Sequence, residues 1–257
     1  MTMTTPTGIT APRTSQLDRK VAMRLASTEY QRVVDLLRTL TPEQWAAQTC
    51  CPPWDVHAMA NHLLGMAKMA ASVREQSRQF KLASKHAAER KQLMIDALTG
   101  LQVAEHAHLS TADTIAQFAA VGPKAARSRK LAPFFIRRKT MPNSEHVNGR
   151  EEQWKVGYLV DVILTRDPFM HRIDIADAIG VLPTLTAEHE GVIVDDVVRE
   201  WAGRHGRAVT LRLSGLAGGM WTFGNGGPTV EMDALAFCRA VSGRAPGDTV
   251  FDTEVPF

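Results

Sequence analysis

Three cysteines in 257 residues are too few for a disulfide framework, and two of them, Cys50 and Cys51, are neighbours. That usage fits a reducing compartment, so a cytoplasmic protein is expected. No apolar run approaches the roughly 18 residues that a spanning helix needs. The start, Met1 to Gly8, has neither a basic cluster nor an apolar stretch, which argues against a secretory signal. No internal repeat is found. Acidic residues are missing from one long interval: none lies between Asp113 and Glu145, whereas Lys124, Arg127, Arg129, Lys130, Arg137, Arg138 and Lys139 all do. The formal charge of +3 hides this segment, because the rest of the chain is mildly acidic without it. Segment 124–139 reads either as a solvated surface loop or as an attractor for a carboxylate-bearing substrate, nucleic acid or an anionic membrane.

What is present is the composition of a soluble globular protein, 44% apolar and 22% charged, long enough for one large domain or two ordinary ones. Residues 1–15, rich in Thr and Pro, are expected to form a disordered tail. A first helix is predicted from about Leu17 to Leu40, with an apolar stripe of Val21, Leu25, Tyr30, Val33, Val34 and Leu37. Thr41-Pro42-Glu43-Gln44 is a capping-box helix start, cut short by Cys50-Cys51-Pro52-Pro53. Asp55 is the expected cap of a second long helix, whose apolar run from Val56 to Met69 holds His62 beside its buried stripe. Ser110 opens a further helix that Gly122-Pro123 is expected to interrupt.

The chain is organised around Trp154 to Asp174. Apolar residues recur there at helical spacing, and Asp167 and His171 fall four apart on one face. Such a pair suits two ligands of a divalent ion, with His62 as a third from another helix. The same spacing also serves an ordinary ion pair, and Pro168 favours a kink at Asp167 or a capping role for it. Asp174, one turn on, is placed to orient the His171 ring. Gly180 and Pro183 end the helix and mark the clearest domain boundary. Beyond it come a helix from about Ala187 to Ala202, short strands at Val209–Leu213, Trp221–Phe223 and Thr229–Met232, and a helix capped by Asp233. Val250-Phe251 is a candidate last strand. The fold class expected is α+β in two domains: helices over 16–180, then a small α+β domain over 184–257 with an antiparallel sheet.

Trp54-Asp55-Val56, Asn61-His62-Leu63, Thr165 to Asp174, Ala178-Ile179-Gly180 and the ending from Ser242-Gly243-Arg244 together resemble the mycothiol-dependent maleylpyruvate isomerase family. The resemblance runs from Leu17 onward but is poor between about Arg74 and Arg150, and a basic insertion is expected at about 105–150. It implies a DinB-like four-helix bundle joined to a sterol-carrier-like α+β domain. It also implies a divalent metal, usually zinc, on His62, Asp167 and His171, with Asp167 standing where the family's isomerase has Glu. Arg244 is the match for an arginine that contributes to activity. The implied chemistry is a mycothiol-dependent isomerisation or S-transfer on a small electrophile, in which the thiol adds to a double bond, rotation follows and the thiol leaves. The competing reading is a non-catalytic DinB-like binding protein whose basic segment contacts nucleic acid, membrane or a protein partner.

Overall fold

The computed structural model describes residues 11–245 and 250–257. Most of the expected tail, residues 1–10, lies outside the described residues. Its last part is pinned: the Arg13 N–H donates to the Gln153 carbonyl at 2.8 Å, and the Lys155 N–H donates to the Arg13 carbonyl at 2.9 Å.

Helix α1 (Arg19–Leu37) starts at Asp18, whose carboxylate accepts the N–H groups of Lys20 and Val21. The Thr41–Gln44 capping box forms as expected and opens the one-turn α2 (Pro42–Trp45). Asp55 caps α3 (Val56–Ala71) through the Ala58 N–H at 2.7 Å. Helices α4 (Val73–Arg90) and α5 (Met94–His106) form a hairpin against α3. Helix α6 (Thr111–Leu131) packs on α1 and α3 and runs unbroken through Gly122 and Pro123. The expected interruption is therefore absent, and much of the stretch expected as an insertion is a bundle helix. Packing overrides the local break: a Cβ on Gly122 would come within 3.1 Å of the Tyr30 Cβ, so glycine lets α6 close on α1.

A single turn, α7 (Phe134–Arg137), and a hairpin of β1 (Glu145–Val147) with β2 (Arg150–Glu152) follow. Then comes a continuous helical stretch: α8 (Val156–Tyr158), a π-helical turn over Leu159–Ile163, and α9 (Leu164–Ala178). Helices α1, α3, α6 and α9 form the four-helix bundle. Helix α9 is buried nearly all round, and its polar side is filled by ion pairs. Arg166 binds Asp196 and Glu200, while Arg172 binds Glu29 and Glu190.

The remainder comprises a π-helical turn (Ala187–Gly191), α10 (Val192–His205), strands β3 (Val209–Ser214), β4 (Gly219–Phe223) and β5 (Thr229–Asp233), and α11 (Ala234–Val241). Val209, Leu211 and Leu213 alternate inward and pack with Val197, Trp201 and Phe237. The α+β class holds, but the sheet is mixed. Strand β3 pairs antiparallel with β4 and parallel with β5, in the order β4-β3-β5. Gly224 and Gly226, both at positive φ, carry the chain across the end of β3 to its far side instead of back along β4. Residues 250–252 form a 3-10 turn, not the expected strand.

Candidate metal centre

The π turn before α9 is the first step in building the site. It widens the hydrogen-bonding pattern, with the Leu164 N–H reaching the Leu159 carbonyl. Four residues after Leu164 comes Pro168, which has no N–H to give back to the Leu164 carbonyl. Arg129 of α6 supplies the missing donor. Its Nη1 donates to the Leu164 oxygen at 2.8 Å, its Nε to the Val160 oxygen at 2.8 Å and its Nη2 to Thr165 Oγ1 at 2.6 Å. The helix therefore continues through Asp167 and Pro168, and Asp167 is not a cap.

Asp167 and His171 thus face His62 of α3. His62 Nε2 lies 3.4 Å from Asp167 Oδ1, and His171 Nε2 lies 3.5 Å from the same oxygen. The two imidazoles meet edge to face with centroids 5.1 Å apart. His62 and His171 are 1% and 6% exposed. Trp54 closes one side, its ring centroid 5.1 Å from that of His62 and 6.1 Å from that of His171.

The outer ring nitrogens decide what faces inward. His62 Nδ1 donates to Gln102 Oε1 at 2.8 Å, and His171 Nδ1 donates to Asp174 Oδ2 at 3.2 Å. With both Nδ1 protons turned outward, it is the two Nε2 atoms that face Asp167, and each offers a lone pair there once it carries no proton. Gln102 is itself fixed, because its amide donates to Gln79 Oε1 at 2.9 Å and Gln79 donates to the Gly65 carbonyl at 3.1 Å. Gly65 is required for this approach: a Cβ there would come within 2.6 Å of the Gln102 Cβ.

The three converging groups need a positive charge between them, a proton on Nε2 or a metal ion that takes its place. Their ligand atoms lie within 4.8 Å of one another. Tetrahedral zinc with ligands at about 2.0–2.2 Å spaces neighbouring ligand atoms about 3.3–3.6 Å apart, which matches the two short separations. Asp167 Oδ2 is buried with no hydrogen-bond partner among the described residues. The donor set therefore fits a divalent metal. Burial pushes the Asp167 carboxyl up, but the imidazoles of His62 and His171 outweigh it and hold it well below the carboxylate range. Burial lowers His171, and the Asp167 charge more than reverses that, raising its pKa well above the ordinary value.

Arg244 arrives from the α+β part, just after Gly243, whose positive φ turns the chain out of α11. Its Nε donates to Asp174 at 2.9 Å and 3.2 Å. Burial raises the Asp174 carboxyl, but the His171 hydrogen bond and the Arg244 charge hold it at about 2. Cys50 Sγ lies 3.1 Å from Asp174 Oδ1, and burial together with that carboxylate pushes the thiol up to about 12. A cavity of about 890 Å³ lies elsewhere, between α1, α6 and the link at Val181–Thr184, and includes none of the three convergent residues.

The model of the mycothiol maleylpyruvate isomerase N-terminal domain matches residues 26–176, more than half of the chain. The chain belongs to this family. Two solved structures share the fold: a mycothiol-dependent maleylpyruvate isomerase, and a mutant of it with one histidine replaced by alanine. Each is 12% identical to this chain. They match with TM-scores of 0.56 and 0.55, covering 91% of this chain and 94% and 93% of theirs. No curated protein matches. Among the described residues, no helix is long and apolar enough to cross a membrane.

The structure brings His62, Asp167 and His171 together and sets Arg244 one residue away, through Asp174. Sequence reasoning missed Gln102 and Arg129. Both act across the bundle, from positions where no local pattern signals a role.

Proposed function

We propose that this family member is a metal-dependent thiol isomerase or S-transferase that uses mycothiol and acts on a small electrophile carrying a carboxylate. The observation that carries the reading is the convergence of two Nε2 atoms and a carboxylate on one buried point, with the outer nitrogens fixed by Gln102 and Asp174, where a divalent ion can take the place of a proton. His62, Asp167 and His171 would hold the ion, and zinc suits two imidazoles and one carboxylate. A divalent ion so held supplies a Lewis acid that lowers the pKa of a thiol brought to it.

The protein's own groups do the rest. Gln102 and Asp174 keep both imidazoles in the ligating tautomer. Trp54 covers the two rings and restricts water on that side. Cys50, with its thiol held protonated near neutral pH, is a poor nucleophile, so an external thiol fits the site better. Arg244 has its Nε committed to Asp174, and its two terminal nitrogens would take the substrate carboxylate. The domain division that goes with this reading is a metal-binding bundle over 16–180 and a substrate-contacting α+β unit over 184–257.

The test is turnover of maleylpyruvate, or a related cis-unsaturated keto acid, with and without mycothiol. Isomerisation that requires both the thiol and the metal supports the reading. Turnover unchanged by omitting the thiol points instead to a metal-dependent hydrolase and sinks it.

A further inference from the structure

The basic segment, which the metal centre only partly absorbs, divides into two faces. Arg129 is 2% exposed and belongs to the support of α9. Arg137 is turned inward onto the buried Asp161, with Nη1 2.6 Å from Oδ1. Five cations remain outside: Lys124, Arg127, Lys130, Arg138 and Lys139 are all exposed, and none has an acidic partner among the described residues. Interspersed with them are Leu131, Phe134 and Phe135, which are 65%, 67% and 66% exposed. Phe134 and Phe135 are the only exposed aromatic side chains among the described residues. Arg138 lies over the Phe134 ring at 5.3 Å, so cation and ring share one surface.

The stretch is held in place from behind. Arg19 donates to the carbonyls of Lys130 and Ala132, Arg137 pairs with Asp161, and the Val156 N–H donates to the Lys139 carbonyl at 2.9 Å. Polar contacts thus face the protein and apolar bulk faces solvent, the reverse of ordinary loop chemistry. The three side chains present on the order of 400 Å² of apolar surface, short of the roughly 800 Å² per partner of a stable protein interface. Shallow insertion of a few apolar side chains, ringed by cations, is how a peripheral surface engages a lipid headgroup layer. Nucleic acid would use the cations but has no need of an exposed Leu and two Phe side by side.

We propose that Leu131, Phe134 and Phe135, with the five exposed cations, form a docking surface for an anionic lipid bilayer. It holds the protein at a membrane face without spanning it. Binding is to the lipid phosphate layer and does not depend on the metal centre.

The test uses the full chain in co-sedimentation with phosphatidylcholine vesicles and with phosphatidylcholine–phosphatidylglycerol vesicles, at low and high salt. Binding is expected on the anionic vesicles only, weakening at high salt. The double variant Phe134→Ser/Phe135→Ser and the double variant Lys130→Gln/Lys139→Gln are each expected to lower the partition coefficient at least roughly tenfold. Because all four positions are exposed, melting curves are expected to match the parent and so exclude misfolding as the cause. Absence of binding to anionic vesicles at low salt overturns the proposal. So does tight binding to duplex DNA that survives loss of both phenylalanines, which would assign the surface to nucleic acid.

Discussion

Arg129 donates from Nη1 to the carbonyl of Leu164 at 2.8 Å, the acceptor that the proline four residues later leaves without a helical partner. A residue that reads in the sequence as one more charge in a basic run is thus part of the support for the helix carrying Asp167 and His171. Replacing Arg129 with Met removes the donor from the buried Leu164 carbonyl and Thr165 hydroxyl and from the half-buried Val160 carbonyl, at about 1 kcal/mol or more for each buried one, so a loss of about 2–3 kcal/mol is expected in denaturant melts. Arg129→Lys restores only part, because an ammonium cannot span the Val160, Leu164 and Thr165 oxygens as a planar fork does.

Gln102 fixes the His62 ring from the outside. Gln102→Leu removes the acceptor for the Nδ1 proton, and metal affinity is expected to fall by about 10- to 100-fold in a chelator competition. Gln102→Glu keeps an acceptor at the same place and is expected to retain affinity far better. Equal losses in both variants would indicate a packing role alone.

Gly65 sets how close α5 comes to α3. Gly65→Ala places a methyl within 2.6 Å of the Gln102 Cβ and 2.7 Å of its Cγ, so the hairpin must shift. A loss of about 1–3 kcal/mol in chemical denaturation is expected, accompanied by weaker metal binding. An unchanged midpoint would show that α5 relaxes freely.

Glu145, in the β1–β2 hairpin, is pushed up to about 7 by burial. Between the ordinary value of 4.5 and about 7, the folded chain keeps a proton that the unfolded chain has released. Stability contributed at this position therefore falls as pH rises through that window. Glu145→Gln removes the ionisable group, so the variant is expected to melt above the parent at about pH 8 and to match it at about pH 5. Identical melting differences at both values would contradict this.

These cases show which parts of the molecule were legible in the sequence. The Thr41–Gln44 box and the caps Asp55 and Asp233 act within three residues, so local chemistry specified them. The spacing of Asp167 and His171, and the position of His62 along α3, pointed to residues that the fold does bring together. Gly122-Pro123 misled, because the burial of α6 against α1 and α3 outweighs one lost hydrogen bond. The parallel pairing of β5 with β3 depends on which side of β3 the Gly224–Pro228 turn delivers the chain, and no alternation of side chains encodes that. Gln102 and Arg129 were invisible for a related reason. Their roles exist only once α5 and α6 have docked.

The central claim is that His62, Asp167 and His171 hold one divalent ion. Metal analysis of the purified, zinc-reloaded protein, set beside His62→Ala, Asp167→Asn and His171→Ala, tests it most directly. About one tightly held ion per chain in the parent, and none surviving dialysis in the three variants, is the expected result. A parent that takes up no ion, or variants that keep it undiminished, would contradict the account.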